Sequence, residues 1–259
     1  MQPEIHVAGI SLKTFGMAFA LLFLAIGALI ARRLKELGKP VDWAYEISFA
    51  ALAGGLVGSR LYYVVQNYDQ VKHDLLGNLF GGSGLVWYGG LIGGTLTVLA
   101  WARWRGLLGL ALLDMCAPAL ALGYAIGRVG CQVSGDGDYG IHSNLPWAMA
   151  YPHGEVPTTV HVHPTPIYET LAMGLVAWWL WRARDRYRPG ILFAFYLVFA
   201  GLERLLVEFI RRNPEVLAGL TGAQLESIGL LVAGAVWLGL AMRRGAGLRP
   251  AAPAGSAPA

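Results

Sequence analysis

Charged residues are scarce in this chain of 259 residues, and their scarcity limits the class of protein it can be. Asp, Glu, Lys and Arg make up 14% of the residues, whereas 56% are hydrophobic. The mean hydropathy is +0.50. A soluble domain carries about 25% charged residues, so too few remain here to cover a surface that faces water. The composition excludes a soluble globular enzyme, a disordered chain and a nucleic-acid-binding module.

Cysteine is nearly absent, and glycine follows no repeat. Two cysteines are too few for a disulfide scaffold. The 35 glycines lack a Gly-x-y period, which excludes collagen and favours helices that pack closely through small residues. What the chain does contain is long apolar runs, and about 20 such residues cross a membrane. They predict an all-α, polytopic membrane protein with about seven transmembrane helices, at residues 14–31, 43–65, 85–102, 107–129, 167–181, 191–210 and 221–242.

Lys and Arg are distributed unevenly among the segments that join these helices. With the N-terminus outside, 13 of the 20 basic residues fall on the inner side and 4 on the outer side. Cytoplasmic segments are rich in Lys and Arg, so this orientation, with a cytoplasmic C-terminus, is favoured and explains the net charge of +4 without nucleic acid. We expect one transmembrane domain over residues 1–245, an outer loop at about 131–166 and a disordered tail at 246–259.

A few charged residues lie inside the predicted helices, where each costs at least about 2.5 kcal/mol near the helix centre. Salt bridges between helices would explain one Arg–Glu pair. An excess of arginine at one depth under the outer leaflet instead favours an anion site, and a guanidinium group suits a phospholipid phosphate. Arg211 shares a helical face with Arg204 and Glu208. The five charges are Arg60, Arg128, Glu169, Arg204 and Glu208.

A glycine-rich segment at residues 127–140 is predicted to leave the fourth helix as a tight turn. Glycines let backbone amides approach an anion. No strand precedes the segment and no Gly-Lys-Ser/Thr follows it, which excludes Rossmann and P-loop sites. Asp136-Gly137-Asp138 is similar to part of a calcium loop but lacks the closing Glu, so we expect no metal. Cys131 is a candidate nucleophile without an identifiable base beside it.

Seven short motifs occur along the chain. They are Thr14-Phe15-Gly16, Gly58-Ser59-Arg60-Leu61-Tyr62-Tyr63, Tyr88-Gly89-Gly90-Leu91-Ile92-Gly93, Gly127-Arg128-Val129-Gly130, Leu145-Pro146-Trp147-Ala148, His163-Pro164-Thr165-Pro166-Ile167-Tyr168-Glu169 and Arg204-Leu205-Leu206-Val207-Glu208-Phe209-Ile210-Arg211. In this order, over roughly residues 10–245, the chain resembles bacterial prolipoprotein diacylglyceryl transferases. Each motif is weak alone, but seven in family order are specific.

The resemblance implies transfer of a diacylglyceryl group from phosphatidylglycerol to the thiol of a lipobox cysteine in a secreted prolipoprotein. Glycerol phosphate leaves, a thioether forms and no cofactor is needed. It also implies a bacterial cytoplasmic (inner) membrane protein whose active site faces the outer leaflet. Arg128 and Arg204 would hold the phosphate and stabilise the leaving group, and Glu208 would orient Arg204. The implied phospholipid-binding set is Arg60, Arg128, Gly130, Gly140, Arg204 and Arg211, and the signature loop contains Gly127, Cys131, Gly135 and Asp136.

Four positions depart from the family pattern, and the glycine-rich segment is one residue longer. The arginines that would bind phosphate are retained, whereas the groups that would handle protons change. The four are Phe15, Tyr88, Cys131 and Pro166, where the family has Tyr, His, Asn and Gln.

Because of these departures, the sequence does not decide which residue is the general base. A phenol, with a pKa of about 10, is a poor base at pH 7 unless an arginine lowers it. Either Tyr88 or a loop histidine, His142 or His163, would therefore deprotonate the thiol. Two other functions stay open: a divergent relative that uses the same phospholipid site with another acceptor, and a phospholipid-binding or transport protein without enzymatic activity.

Overall fold

The computed structural model describes residues 2–7, 10–71, 86–243 and 248. Seven helices of 18 to 25 residues dominate this part of the chain. The helical class predicted from the apolar runs is therefore confirmed. The helices are α1 (Thr14–Glu36), α2 (Trp43–Gln66), the short α3 (Tyr68–Val71), α4 (Trp87–Trp104), α5 (Leu110–Ser134), α6 (Thr165–Ala183), α7 (Ile191–Glu208) and α8 (Gly222–Arg243).

Four of the helices, α1, α2, α5 and α8, are long and apolar enough to cross a membrane. The other three long helices, α4, α6 and α7, have 18, 19 and 18 residues. The number of seven spans therefore stays a prediction. Many large apolar side chains on the helices are exposed, among them Leu24 at 72% and Val65 at 76%. Such apolar surfaces are unfavourable in water and suit contact with lipid, so this is a membrane protein.

The chain divides into two compact units, one formed by residues 27–112 and the other by residues 1–26 and 113–259. Within the first unit, α2 and α4 cross in close contact. A Cβ atom at Gly58 would overlap the carbonyl oxygen of Gly89, and one at Gly93 would overlap that of Gly54. These glycines let the two backbones touch, as the high glycine content predicts. The predicted single domain stays a prediction, and the predicted tail at 246–259 lies, apart from Leu248, outside the described residues.

In the second unit, a core of buried small and aliphatic side chains joins α5, α6 and the start of α7. Ala117 and Ala121 of α5 face Met173 and Leu180 of α6, and Leu192 packs against them. Asp114 on α5 accepts hydrogen bonds from the backbone N–H groups of Gly190 and Phe193, at 2.7 and 2.8 Å. These bonds satisfy amides at the start of α7 that have no partner within the helix.

Within the described residues, three antiparallel hairpins, too short to give a clear alternating pattern, accompany the helices. One lies between α5 and α6 and another between α7 and α8, so both are at the end of the unit where α5 and α7 end. The hairpins pair β1 (Glu4–Val7) with β2 (Ile10–Lys13), β3 (Met149–Tyr151) with β4 (Thr158–Val162), and β5 (Glu215–Leu217) with β6 (Leu220–Thr221).

The glycine-rich segment is half helix and half turn, which corrects the prediction of a turn from residue 127. Helix α5 continues to Ser134, so Gly127, Gly130 and Cys131 are helical. The helix ends at Gly135, whose φ of +64° favours glycine and whose N–H donates to the Cys131 carbonyl at 2.9 Å. The reason is that isolated glycines are tolerated inside a helix, and this helix ends only where Gly135 adopts a positive φ. The loop after α5 accordingly runs over residues 135–164.

Candidate active site

Glu169 is fully buried one turn into α6 and lies among three arginines. Its carboxylate oxygens are 3.1 Å from Arg128 Nε and 3.4 Å from Arg204 Nη1. The same carboxylate lies 3.7 Å from Arg211 Nη1. A buried carboxylate remains charged only with such compensation, so Glu169 holds together guanidinium groups from α5, α7 and the segment after α7. We call the full set the arginine–carboxylate cluster: Arg128, Asp138, Glu169, Arg204, Glu208 and Arg211.

Glu208 is the second buried carboxylate of the cluster, and its side chain has no exposed surface. Arg204, one turn earlier on α7, places Nη2 2.9 Å from Glu208 Oε2. The other carboxylate oxygen, Oε1, accepts hydrogen bonds from Asn213 Nδ2 and Thr221 Oγ1, both at 2.7 Å. The pairing predicted from the i, i+4 spacing is therefore present, and the two added donors fix the carboxylate in position.

Asp138 is the third carboxylate, and its partners are not evident from the sequence. It forms an ion pair with Arg128 Nη1, and Arg211 Nη2 lies 2.6 Å from its Oδ1. Burial alone would raise the pKa of Asp138, but the guanidinium groups of Arg128 and Arg211 outweigh burial and hold that pKa below its usual value. Asp138 therefore stays ionised at neutral pH.

Asp136, the acidic residue predicted for the signature loop, plays a different part. Its Oδ1 accepts the backbone N–H of Asp138 at 3.2 Å, and burial raises the pKa of its carboxyl group. The segment offers two acidic positions, Asp136 and Asp138, and it is the second that pairs with Arg128 and Arg211. A second acidic residue two positions after Asp136 was the signal in the sequence that could have directed attention to Asp138.

Tyr124 is another residue of the site that none of the sequence motifs includes. Its hydroxyl donates to Glu169 Oε1 at 2.9 Å and accepts from Arg128 Nη2 at 3.3 Å. The guanidinium carbon of Arg128 also lies 5.0 Å from the centre of the Tyr124 ring. Tyr124 precedes Arg128 by four residues on α5, so the helical spacing alone could have identified it as a neighbour.

The cluster is balanced in charge, with three arginines against three carboxylates. The excess of arginine expected from the sequence includes Arg60 and leaves out Asp138, and the assignment of Arg60 to the phospholipid site stays a prediction. The structure places Arg60 in the other compact unit, where its guanidinium carbon lies 5.8 Å from the centre of the Tyr63 ring. Tyr88, at the start of α4, belongs to that unit too, with its ring 6.4 Å from Tyr62.

Backbone contacts hold the loop after α5 against the end of α7. The Gly140 N–H donates to the His163 carbonyl at 2.8 Å, and a Cβ atom on Gly140 would overlap the Ile210 carbonyl oxygen. Thr165 Oγ1 donates to the Asp138 carbonyl at 2.6 Å. The half-buried His163 ring places Nδ1 3.4 Å from the Tyr168 hydroxyl. Gly140 and His163 are therefore connected to the residues that carry the cluster.

Cys131 is buried at the end of α5, with its Sγ 3.8 Å from Arg128 Nη1. Its sulfur and one carboxylate oxygen each of Asp136 and Asp138 lie within 4.8 Å of one another. Such a group offers ligand atoms for a cation, but the Asp138 carboxylate already pairs with two guanidinium groups. The expectation that no metal binds here stays a prediction.

A helical protein with apolar outer surfaces and a buried cluster of arginines and carboxylates belongs to the class of membrane proteins that carry a polar site within their helices. The sequence profile of the prolipoprotein diacylglyceryl transferase family matches residues 3–240. The chain belongs to this family of transferases, which confirms the resemblance seen in its motifs.

Individual relatives agree with the family match. The chain is 30% identical over 219 residues to the phosphatidylglycerol–prolipoprotein diacylglyceryl transferase of Clostridium tetani, across 83% of this chain and 87% of that protein. It is 32% identical over 231 residues to the protein of the same name from Leptospira interrogans, across 79% and 73% of the two chains. It is 30% identical over 252 residues to the protein of that name from Bordetella avium, across 93% of this chain and 94% of that protein.

Replacing Glu169 by Gln tests whether this carboxylate stabilises the cluster. We expect Glu169→Gln to lower the free energy of unfolding by about 3 kcal/mol, because it leaves buried guanidinium groups without their shared partner. The measurement is an unfolding titration of the purified protein in micelles. The control is Asp185→Asn, which removes a 65% exposed carboxylate 3.7 Å from Arg184 Nε and should change the value by less than about 1 kcal/mol. Equal effects would contradict this account of Glu169.

Proposed function

We propose that this chain transfers a diacylglyceryl group from phosphatidylglycerol to the thiol of a lipobox cysteine in a prolipoprotein. The observation that carries the proposal is the convergence of Arg128 and Arg204 on Glu169 in a member of this family. These two side chains are 15% and 20% exposed, whereas Arg211 is 7% exposed. The two arginines that the family resemblance assigns to phosphate are therefore also the more accessible arginines of the cluster.

The carboxylates hold these arginines in a fixed orientation for an anionic substrate and do not take the place of that substrate. A guanidinium group has five N–H donors. Glu169 and Glu208 each hold one terminal nitrogen of Arg204, while Glu169, Asp138 and Tyr124 hold Arg128. Donors fixed before the substrate arrives stabilise developing charge without reorganising. Glu208 is accordingly a positioning residue for Arg204 in this proposal.

The reaction is a substitution at the glyceryl carbon that bears the phosphate. The thiolate sulfur forms a bond to this carbon while the carbon–oxygen bond to phosphate breaks and its electron pair leaves with the phosphate. Glycerol phosphate is the leaving group, and the proton of the thiol goes to a base. Arg128 and Arg204 stabilise the negative charge that grows on the phosphate oxygen. Every atom comes from the two substrates, so the proposed reaction needs no cofactor.

His163 is the base that we propose, because imidazole is the side-chain base that titrates closest to neutral pH. Its backbone carbonyl accepts from Gly140 N–H beside the cluster, and its ring lies next to the Tyr168 hydroxyl. Tyr88 is the other candidate, since it occupies the position of the family's active-site histidine. A phenol is the weaker base at pH 7.

We propose further that all seven long helices cross the bacterial inner membrane with the N-terminus outside and the site under the outer leaflet. The last turns of the described helices support this orientation. Basic residues occur in the last turns of α1, α4, α6 and α8, which would end in the cytoplasm, and in none of those of α2, α5 and α7.

Labelling of introduced cysteines tests this orientation. A membrane-impermeant maleimide added to intact spheroplasts should label Glu155→Cys, in the loop after α5, more strongly than the unmodified chain. It should leave Arg186→Cys, which follows α6, unlabelled until the membrane is opened. The reverse pattern would contradict the proposed topology.

Complementation tests the transfer itself. We expect the chain to restore lipidation of prolipoproteins in cells depleted of their own transferase, measured by the mass of a reporter lipoprotein. Arg128→Ala should lower lipidation by at least about 100-fold, because mutation of one group that stabilises a developing anion costs that much. Wild-type protein that inserts into the membrane but restores no lipidation would refute the proposal.

A comparison of three variants in purified protein tests the assignment of the base. His163→Gln should lower the rate of transfer about 100-fold, the usual contribution of general base catalysis, and Tyr88→Phe should lower it less than tenfold. His153→Gln, an exposed histidine in the same loop, should have no effect. If Tyr88→Phe causes the larger loss, the base is Tyr88.

A different acceptor is the second candidate function, favoured by the changes at Tyr88 and Cys131 relative to the family pattern. It keeps the phosphatidylglycerol site and the leaving group and changes only the nucleophile. Family membership favours both of these transfers over a phospholipid-binding or transport protein without catalysis.

A further inference from the structure

A polar pocket of about 290 Å³ lies between the loop after α5 and the segment after α7. The pocket could hold about ten waters at about 30 Å³ each, which is room for a small polar ester and not for two acyl chains. It is lined by Gly137, Asp138, Tyr139, Arg211, Arg212 and Asn213.

Two of the lining residues also belong to the buried cluster. Arg211 reaches inwards, with Nη1 3.7 Å from Glu169 and Nε 3.8 Å from Glu208. Asp138 pairs with Arg128 on one side and with Arg211 on the other. The pocket is therefore next to the position where Arg128 and Arg204 would hold the phosphate. One layer of paired side chains separates the pocket from that position.

Arg212 supplies the charge that makes the pocket suitable for an anion. Arg211 and Arg212 place two guanidinium groups in the pocket wall. The ionised Asp138 compensates only one of them, so one positive charge remains. Arg212 is exposed, its guanidinium carbon lies 4.3 Å from the centre of the Tyr139 ring, and its Nη2 donates to the Gly137 carbonyl at 3.3 Å. Tyr139 donates its own hydroxyl to Val156 and is buried, so Arg212 rests on a fixed platform.

We propose that this pocket receives the glycerol phosphate released by the transfer, with Arg212 as the residue that binds it on its way out. The inference rests on the proposed function for the origin of the ligand. The leaving group is a phosphate monoester with more negative charge than the diester from which it forms. Arg212, which is more exposed than its neighbour Arg211, adds the positive charge that favours this ligand over the substrate headgroup. Its planar guanidinium group can donate to two phosphate oxygens at once.

Direct binding of glycerol phosphate to the purified full chain in micelles tests the pocket without any need for turnover. Calorimetry should show that Arg212→Gln raises the Kd for glycerol phosphate about tenfold, the expected loss of one charge-assisted contact. Arg212→Lys should recover part of the affinity, because it keeps the charge and loses the planar fork.

Arg184→Gln is the matched control. Arg184 also lies over an aromatic ring, with 4.3 Å from its guanidinium carbon to the centre of the Trp181 ring, but it follows the far end of α6. This variant should bind glycerol phosphate as the wild type does.

Competition identifies the source of the phosphate. Inorganic phosphate should displace glycerol phosphate only at higher concentration, and phosphatidylglycerol added to the micelles should not displace it. Equal affinity for inorganic phosphate, displacement by phosphatidylglycerol, or equal Kd values for wild type and Arg212→Gln would each overturn the proposal. Binding through Arg212 by a protein that forms no thioether would refute the transfer and leave the pocket a phosphate-ester site.

Discussion

Burial of Glu169 is the constraint on which the rest of the site depends. A carboxylate removed from water is costly unless charges and hydrogen bonds compensate it, and here that compensation comes from three separate segments. Arg128 approaches from α5, Arg204 from α7 and Arg211 from the segment after α7. Because all three must reach one carboxylate, the ends of these helices are fixed relative to one another, and Asp138 connects the loop over residues 135–164 to Arg128 and Arg211.

The balance of charge in the cluster has a consequence for substrate binding. Three arginines and three carboxylates compensate each other, so a phosphate that enters must share donors that already have partners. Arg128 and Arg204 can do so because part of each side chain remains exposed. An anion is then bound by donors of fixed orientation, which favours the charge distribution of the transition state over tight binding of the ground state.

Much of this architecture could be predicted from the sequence, because apolar runs and helical spacing are local properties. The helices and the Arg204–Glu208 pair follow from them. The partners of Asp138 could not be predicted, since Arg128 and Arg211 reach it from opposite sides through a turn whose path depends on Gly135 and Gly137. The end of α5 at Ser134 also depends on a backbone angle at Gly135 that composition does not reveal. The hairpins escaped prediction because strands of two to five residues carry little pattern.

The most direct measurement is the stoichiometry of transfer by the purified chain with labelled phosphatidylglycerol and two peptides, one with the lipobox cysteine and one with serine in its place. We expect one glycerol phosphate released for each thioether formed with the cysteine peptide, and neither product above background with the serine peptide. Release of glycerol phosphate that is independent of the thiol, or no thioether from protein that is folded and supplied with both substrates, would contradict it.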